Sequence, residues 1–251
     1  MVLTLNNMTF NTDAIVLKIV KTGESDRLIT FLTRDRGIIK AFAKAADRPK
    51  NKLHMSTNLF CYGNFTFYEG AKSTKVEECD LNETFFGLQK DIETLALAQY
   101  FNELIIETAP VEADSNEYMR LLLNSLHFLA NGQKDMKILK SVFEMRLACI
   151  IGYMPSLVAC KNCGEFETDF MFFDEHTGEL FCRNCTENHG RQYNLEVVSG
   201  MRHIVFSELN RLFTLTVTKK DIPQLNSATE TYLMNVVQKK FKSLDFYKSI
   251  I

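Results

Sequence analysis

Residues 13–44, DAIVLKIVKTGESDRLITFLTRDRGIIKAFAK, decide the fold. Three runs rich in β-branched and aromatic residues (DAIVLKIVK, RLITFLTR, IIKAFAK) are separated by TGESD and RDRG, which carry turn chemistry. They read as consecutive strands. Two more follow: STNLFCYGNFTFYE at 56–69 after ADRPKNK, and KSTKVEEC at 72–79 after EGAKS. Five short strands in about 70 residues predict a small barrel of the oligonucleotide/oligosaccharide-binding type, with an SH3-like barrel as the competing pattern.

From residue 84 the period becomes helical. Leu97, Tyr100, Phe101, Leu104 and Ile105 form one stripe. Met119, Leu122, Leu123, Leu126, Leu129 and Ala130 form a second, entered through Asp114 with Glu117 three residues on. The stretch 136–153 is apolar almost all round and is expected to be the central buried helix, in which Arg146 is expected to pair with a buried acid. Two further helices are predicted at 200–213 and 227–244, the latter opened by a Ser227–Glu230 capping box. The fold class is therefore α+β. A barrel domain at 1–80 precedes a helical domain at 81–251, into which a cysteine module is inserted at 158–190.

That module contains Cys160, Cys163, Cys182 and Cys185 as two Cys-x-x-Cys pairs. FMFFD and ELFC can pair around EHTG, with Gly178 supplying the turn, which makes a zinc ribbon. Four thiolates fill the tetrahedral shell of Zn²⁺ and leave no position for water, so one structural Zn²⁺ per chain is expected. A redox pair or two disulfides are the alternatives, and the βαβ setting of a redox Cys-x-x-Cys is missing. His176 and His189 lie outside the knuckles and are expected at the surface. Cys61, Cys79 and Cys149 sit in apolar contexts expected of core residues.

Function is sought instead in the distribution of charge. The net charge is −2, yet residues 18–75 carry 12 basic against 5 acidic side chains. A basic module on a mildly acidic body is the asymmetry of a protein that meets an anion; a solvated lysine-rich surface is the plain alternative. Arg27, Arg34, Arg36, Lys40, Lys44, Arg48, Lys50 and Lys52 recur on turns and strand ends and are the candidate DNA contacts. Phe31, Phe42, Phe65 and Phe67 are candidate platforms for bases, although a barrel this small needs most of its rings inside. GNFTFYEGAK lacks the ending of a phosphate-binding loop, and no acid pair or His-centred constellation stands out, so an enzyme is not expected. No apolar run is long enough for a membrane helix. MVLTLNNMTFN does not read as a signal peptide, Met8 is an alternative start to Met1, and the expected location is the cytoplasm, associated with the nucleoid.

DAIVLKIVKTGESDRLITFLTRDRGIIKAFAK resembles the opening of the RecO family of DNA repair proteins. FEMRLACIIGYMPSLVACKNCG is similar to that family's central helix and first knuckle, FFDEHTGELFCRNC to the second half of its ribbon, and KSLDF to its C-terminal signature. The chain departs from the pattern after AFAK, where Ala45, Ala46 and Asp47 stand and the family usually has a Gly. It keeps all four cysteines, which some members do not. The resemblance implies a recombination mediator that binds single- and double-stranded DNA, anneals complementary strands without ATP, and works with RecR and sometimes RecF. It implies help for RecA in replacing single-stranded DNA-binding protein, and a dock for the acidic, Phe-ended tail of that protein on the helical domain. Arg120, Lys134 and Lys137 are candidate rim residues for the tail, with an ordinary solvated face as the alternative. Two other function classes remain: a zinc-ribbon adaptor of the transcription-accessory type that binds only proteins, and a metal- or thiol-dependent enzyme.

Overall fold

The computed structural model describes residues 8–166, 168–187 and 189–251; Met1 as a start lies outside them. The chain packs as two units, 1–120 and 121–251. In the first, β1 (Met8–Thr22), β2 (Asp26–Thr33), β3 (Gly37–Ala43), β4 (Tyr62–Glu69) and β5 (Thr74–Glu83) close a barrel in the order β1-β2-β3-β5-β4. At 15 residues β1 is long enough to pair with both β2 and β4, and a register shift between Val16 and Lys18 bends it from one partner to the other. Alternation sends Ile29, Phe31, Ala41, Ala43, Phe65, Phe67 and Val76 inward. Ala14, Ala41 and Ala43 leave room for three rings, with Phe31 set edge-on to Phe65 at 5.0 Å and to Phe67 at 5.2 Å. Each such ring stabilises the barrel by roughly 2–3 kcal/mol through burial.

The sequence places a strand over STNLF, but that segment is the end of a single helical turn, α1 (Leu53–Ser56), followed by turns that run to Phe60 with its φ of +66°. Thr57 explains the difference: its hydroxyl and its N–H both bond to the Leu53 carbonyl and close the turn. The β2–β3 turn requires Gly37. Its φ is +63°, and a Cβ there would lie 2.0 Å from the Pro110 carbonyl oxygen, which accepts a hydrogen bond from Ile38 N–H at 2.8 Å. Asp91 caps α2 (Ile92–Thr108), and Asn102 from that helix donates to the Leu17 carbonyl at 3.0 Å. Packing thus counts α2 with the barrel, while the sequence-based division near residue 80 follows the end of the strands.

The division at Arg120 falls within α3 (Asn116–Asn131). In the second unit α4 (Met136–Ile150) is the buried centre, as its composition predicts. Within it Lys140 is 1 % exposed and pairs with Glu144 at 2.7 Å and Glu230 at 2.8 Å. Among the described residues Arg146 pairs with no acid. It donates instead to the carbonyls of Ile204, Val205 and Ser207, capping α5 (Leu195–Phe206), where the helix dipole favours a cation. The helices predicted at 200–213 and 227–244 are shifted. The first resolves into α5 and the short α6 (Leu209–Leu212). The second is α7 (Ile222–Val237), entered through Asp221 with Pro223 in its first turn, followed by α8 (Lys242–Ile250). Ser227 and Glu230 therefore lie inside α7: Ser227 accepts from Arg191, and Glu230 faces Lys140 and Lys248.

Candidate nucleic-acid interface and metal centre

The eight candidate cations separate by environment. Arg27 is buried rather than at the surface: it is 6 % exposed, and its guanidinium donates to Asp47, to the carbonyls of His54 and Thr57, to the Thr57 hydroxyl and to Asn58. Strand phase explains this, since Arg27 shares the inward face with Ile29 and Phe31. Arg34, Arg36 and Lys52 are accessible but paired, with Asp13 at 2.8 Å, Glu69 at 3.2 Å and Glu78 at 2.5 Å. Lys40, Lys44, Arg48 and Lys50 are exposed, and among the described residues no carboxylate holds their charged ends. Phe31, Phe65 and Phe67 are fully buried and cannot stack on a base.

Phe42 is different. It points outward, half-buried, and pairing aligns it in one row across the outer face with Val20, Leu28, Lys75 and Tyr68. The next row holds Lys18, Thr30 and Lys40. Two rings and three lysines on one curved face were missed at Tyr68, Lys18 and Lys75. The outward orientation is in the sequence, because residues an odd number of positions from the buried set on the same strand share the other face.

The loop from Lys44 to Lys52 is pinned beside this face. Asp47 bridges Lys21 at 2.8 Å and Arg27 at 2.9 Å, and hydrogen bonds from these two, Lys21 first, hold its carboxyl below the usual range. Asp26 accepts from Ala45 N–H at 2.7 Å. Ala45 has a φ of +51°, the left-handed region that glycine enters freely.

In the second unit the Sγ atoms of Cys160, Cys163, Cys182 and Cys185 all lie within 4.8 Å of one another, and none is in a disulfide. A tetrahedron of thiolates about Zn²⁺ puts sulfurs about 3.8 Å apart, and Cys163 and Cys182 stand at 3.6 Å. The donor set fits the ion. Knuckle turns build it: Gly164 N–H bonds to Cys160 O, and Cys185 N–H to Cys182 O. Burial would raise the Cys160 thiol, but the backbone N–H groups of Cys182, Cys163 and Asn162 outweigh it and hold the thiol at about 6, suited to metal ligation. Burial pushes Cys61 and Cys149 up to about 11 and Cys79 to about 12, leaving them inert. The ribbon strands are β6 (Phe170–Asp174), β7 (Glu179–Phe181) and a third that the sequence did not reveal, β8 (Arg191–Asn194). His176 and His189 are exposed, as expected. Arg202 of α5 fastens the loop around the first knuckle, donating to the carbonyls of Leu157, Val158 and Phe166 at 2.7–3.0 Å and stacking on the Phe166 ring.

Arg120 and Lys137 are exposed and Lys134 is half-buried. None of them lines the groove of about 500 Å³ along the ends of α7 and α8, which has Met234, Phe241 and Leu244 as its apolar floor and both lysines (Lys239, Lys240 and Lys248) and acids (Glu230 and Asp245) at its edge.

Comparison with known proteins gives a consistent assignment along the chain. The family described as Recombination protein O N terminal matches residues 8–85, and Recombination protein O C terminal matches 89–245. Proteins named DNA repair protein RecO are similar over nearly full length. That of Acetivibrio thermocellus is 32% identical over 245 residues, 95% of this chain and 96% of its own. That of Caldicellulosiruptor saccharolyticus is 28% identical over 236 residues, 94% and 96% of the two chains. That of Dehalococcoides mccartyi is 28% identical over 243 residues, 96% of each. Among the described residues no helix is long and apolar enough to cross a membrane.

Proposed function

The chain belongs to the RecO family of DNA repair proteins, and on that premise we propose that it pairs complementary DNA strands by screening their phosphates. The observation that carries this reading is the set of exposed cations, Lys40, Lys44, Arg48 and Lys50, that no carboxylate among the described residues pairs, beside the outward rings of Phe42 and Tyr68. Cations follow a phosphate backbone while rings stack on bases of any sequence. Two polyanions held this way lose their mutual repulsion, and base pairing supplies the driving force. No bond is made or broken in the protein, so neither ATP nor a catalytic residue is needed.

In this reading the four cysteines hold a structural Zn²⁺ that braces the ribbon and takes no part in DNA chemistry. The groove along α7 and α8 suits the tail of single-stranded DNA-binding protein: an aromatic end on Met234, Phe241 and Leu244, with acidic residues facing Lys239 and Lys240, while Lys248 is held by Glu230. Arg120, Lys134 and Lys137 lie outside this groove. RecR, and in some settings RecF, complete an assembly that loads RecA on DNA in the cytoplasm, at the nucleoid.

The test mixes two labelled complementary strands, coated with single-stranded DNA-binding protein, with metal-loaded protein and no nucleotide. Faster pairing supports the reading. An unchanged rate, together with no binding of oligonucleotides at low salt, leaves the protein-binding adaptor as the function.

A further inference from the structure

Beside the outward lysine face, at the end of the barrel where β3 and β5 begin, lies an open pocket of about 460 Å³. Its volume is within the roughly 300–1,000 Å³ of small-ligand sites. Phe10, Ile38 and Val111 give it apolar walls, and Val111 is 68% exposed rather than packed away. The Arg36 guanidinium lies 3.7 Å from the centre of the Phe10 ring, so one flat face is covered and the planar group is held in place, further fixed by Glu69 at 3.2 Å. Two cations, Arg36 and Lys40, and two carboxylates, Glu69 (held by Arg36) and Glu112, line it, so its formal charges balance although among the described residues no carboxylate pairs with Lys40 directly. A balanced site of this kind does not favour a phosphate. It suits a flat, neutral group with a polar edge.

We propose that this pocket takes one unstacked nucleobase that carries an exocyclic amine, from a strand lying on the adjacent face; the proposal rests on the strand-binding reading above. The base lies on the guanidinium face opposite Phe10, against Ile38 and Val111. Lys40 belongs to both the pocket and the outer face, so a backbone following the lysines passes the opening. The carboxylates of Glu69 and Glu112 only accept hydrogen bonds. They receive the exocyclic amine of cytosine, adenine or guanine, whereas thymine has no amine and presents its one N3–H between two carbonyl oxygens that they repel.

The experiment measures binding of dC and dT octamers at 50 mM salt by the full-length, metal-loaded protein, the Val111→Trp variant that fills the pocket, and Glu112→Ala. Both altered residues are exposed, and thermal unfolding with metal content shows whether the variants remain folded. The expected result is about tenfold tighter binding of the dC octamer by the wild-type protein, with the preference lost in Val111→Trp and reduced in Glu112→Ala. Equal binding of the two octamers by the wild type, or an undiminished preference in both variants, overturns the pocket while leaving strand binding intact. Displacement of the octamer by free dCMP, lost in Val111→Trp, reassigns the pocket to a mononucleotide and overturns it as well. A wild-type protein that binds neither octamer removes the underlying reading and the pocket with it.

Discussion

Replacing Lys40, Lys44, Arg48 and Lys50 together by alanine isolates the cations whose charge no acid among the described residues neutralises. Each phosphate neutralised on a single strand contributes about −0.7 to the slope of log affinity against log salt, so the four together contribute about −2.8. Raising salt from 50 to 200 mM then costs the wild type roughly 50-fold in affinity through these residues, a loss the quadruple variant escapes. Lys44→Ala alone should lower that factor to about 20. Fluorescence anisotropy of a labelled oligonucleotide across a salt series reads both slopes. Arg27→Met is the internal contrast. It should leave the slope unchanged while destabilising the barrel by about 3 kcal/mol or more, because it strips a buried cation from five acceptors. Parallel slopes for the wild type and the quadruple variant would refute the placement of the DNA-binding face.

Three other outcomes are expected. Ala45→Gly relieves a left-handed alanine and should stabilise the barrel by about 1 kcal/mol, seen as a melting temperature about 2–4 °C higher. Stripping the metal with a chelator, or Cys182→Ser, should open the ribbon to protease near residues 160–190 while the barrel's cleavage pattern stays unchanged. Burial alone would raise the Glu230 carboxyl, but Lys140 and then Lys248 hold it below the ordinary glutamate value. The unfolded chain thus binds this proton more readily than the folded one. The resulting stability is present above the ordinary value and is lost as pH falls through the depressed one, and urea midpoints should show this loss and lack it in Glu230→Gln.

The barrel was legible because turn residues and period-2 alternation agree along 13–44, and Gly37 sits where only glycine fits beside Pro110. The ribbon was legible from cysteine spacing. What failed was any reading of a polar residue by type alone. Arg27 was taken for a surface cation although its strand phase matches Ile29 and Phe31. Ser227 and Glu230 have capping-box spacing, yet Pro223 starts α7 earlier and the buried Lys140 claims Glu230. Arg146 found carbonyls rather than an acid, since a helix end offers partners that leave no mark in the sequence. Strand phase alone turns Tyr68 and Lys75 outward, but only the order β3-β5-β4 puts them in one row with Phe42.

The grip of Arg202 has an evolutionary corollary. Three carbonyls around the first knuckle are tethered by a side chain that no redox change or chelator can remove. The loop is thus held twice, once by sulfur and once by guanidinium. A lineage that shed its thiolates would retain the second anchor, so this arginine is expected to outlast any ion the four cysteines hold.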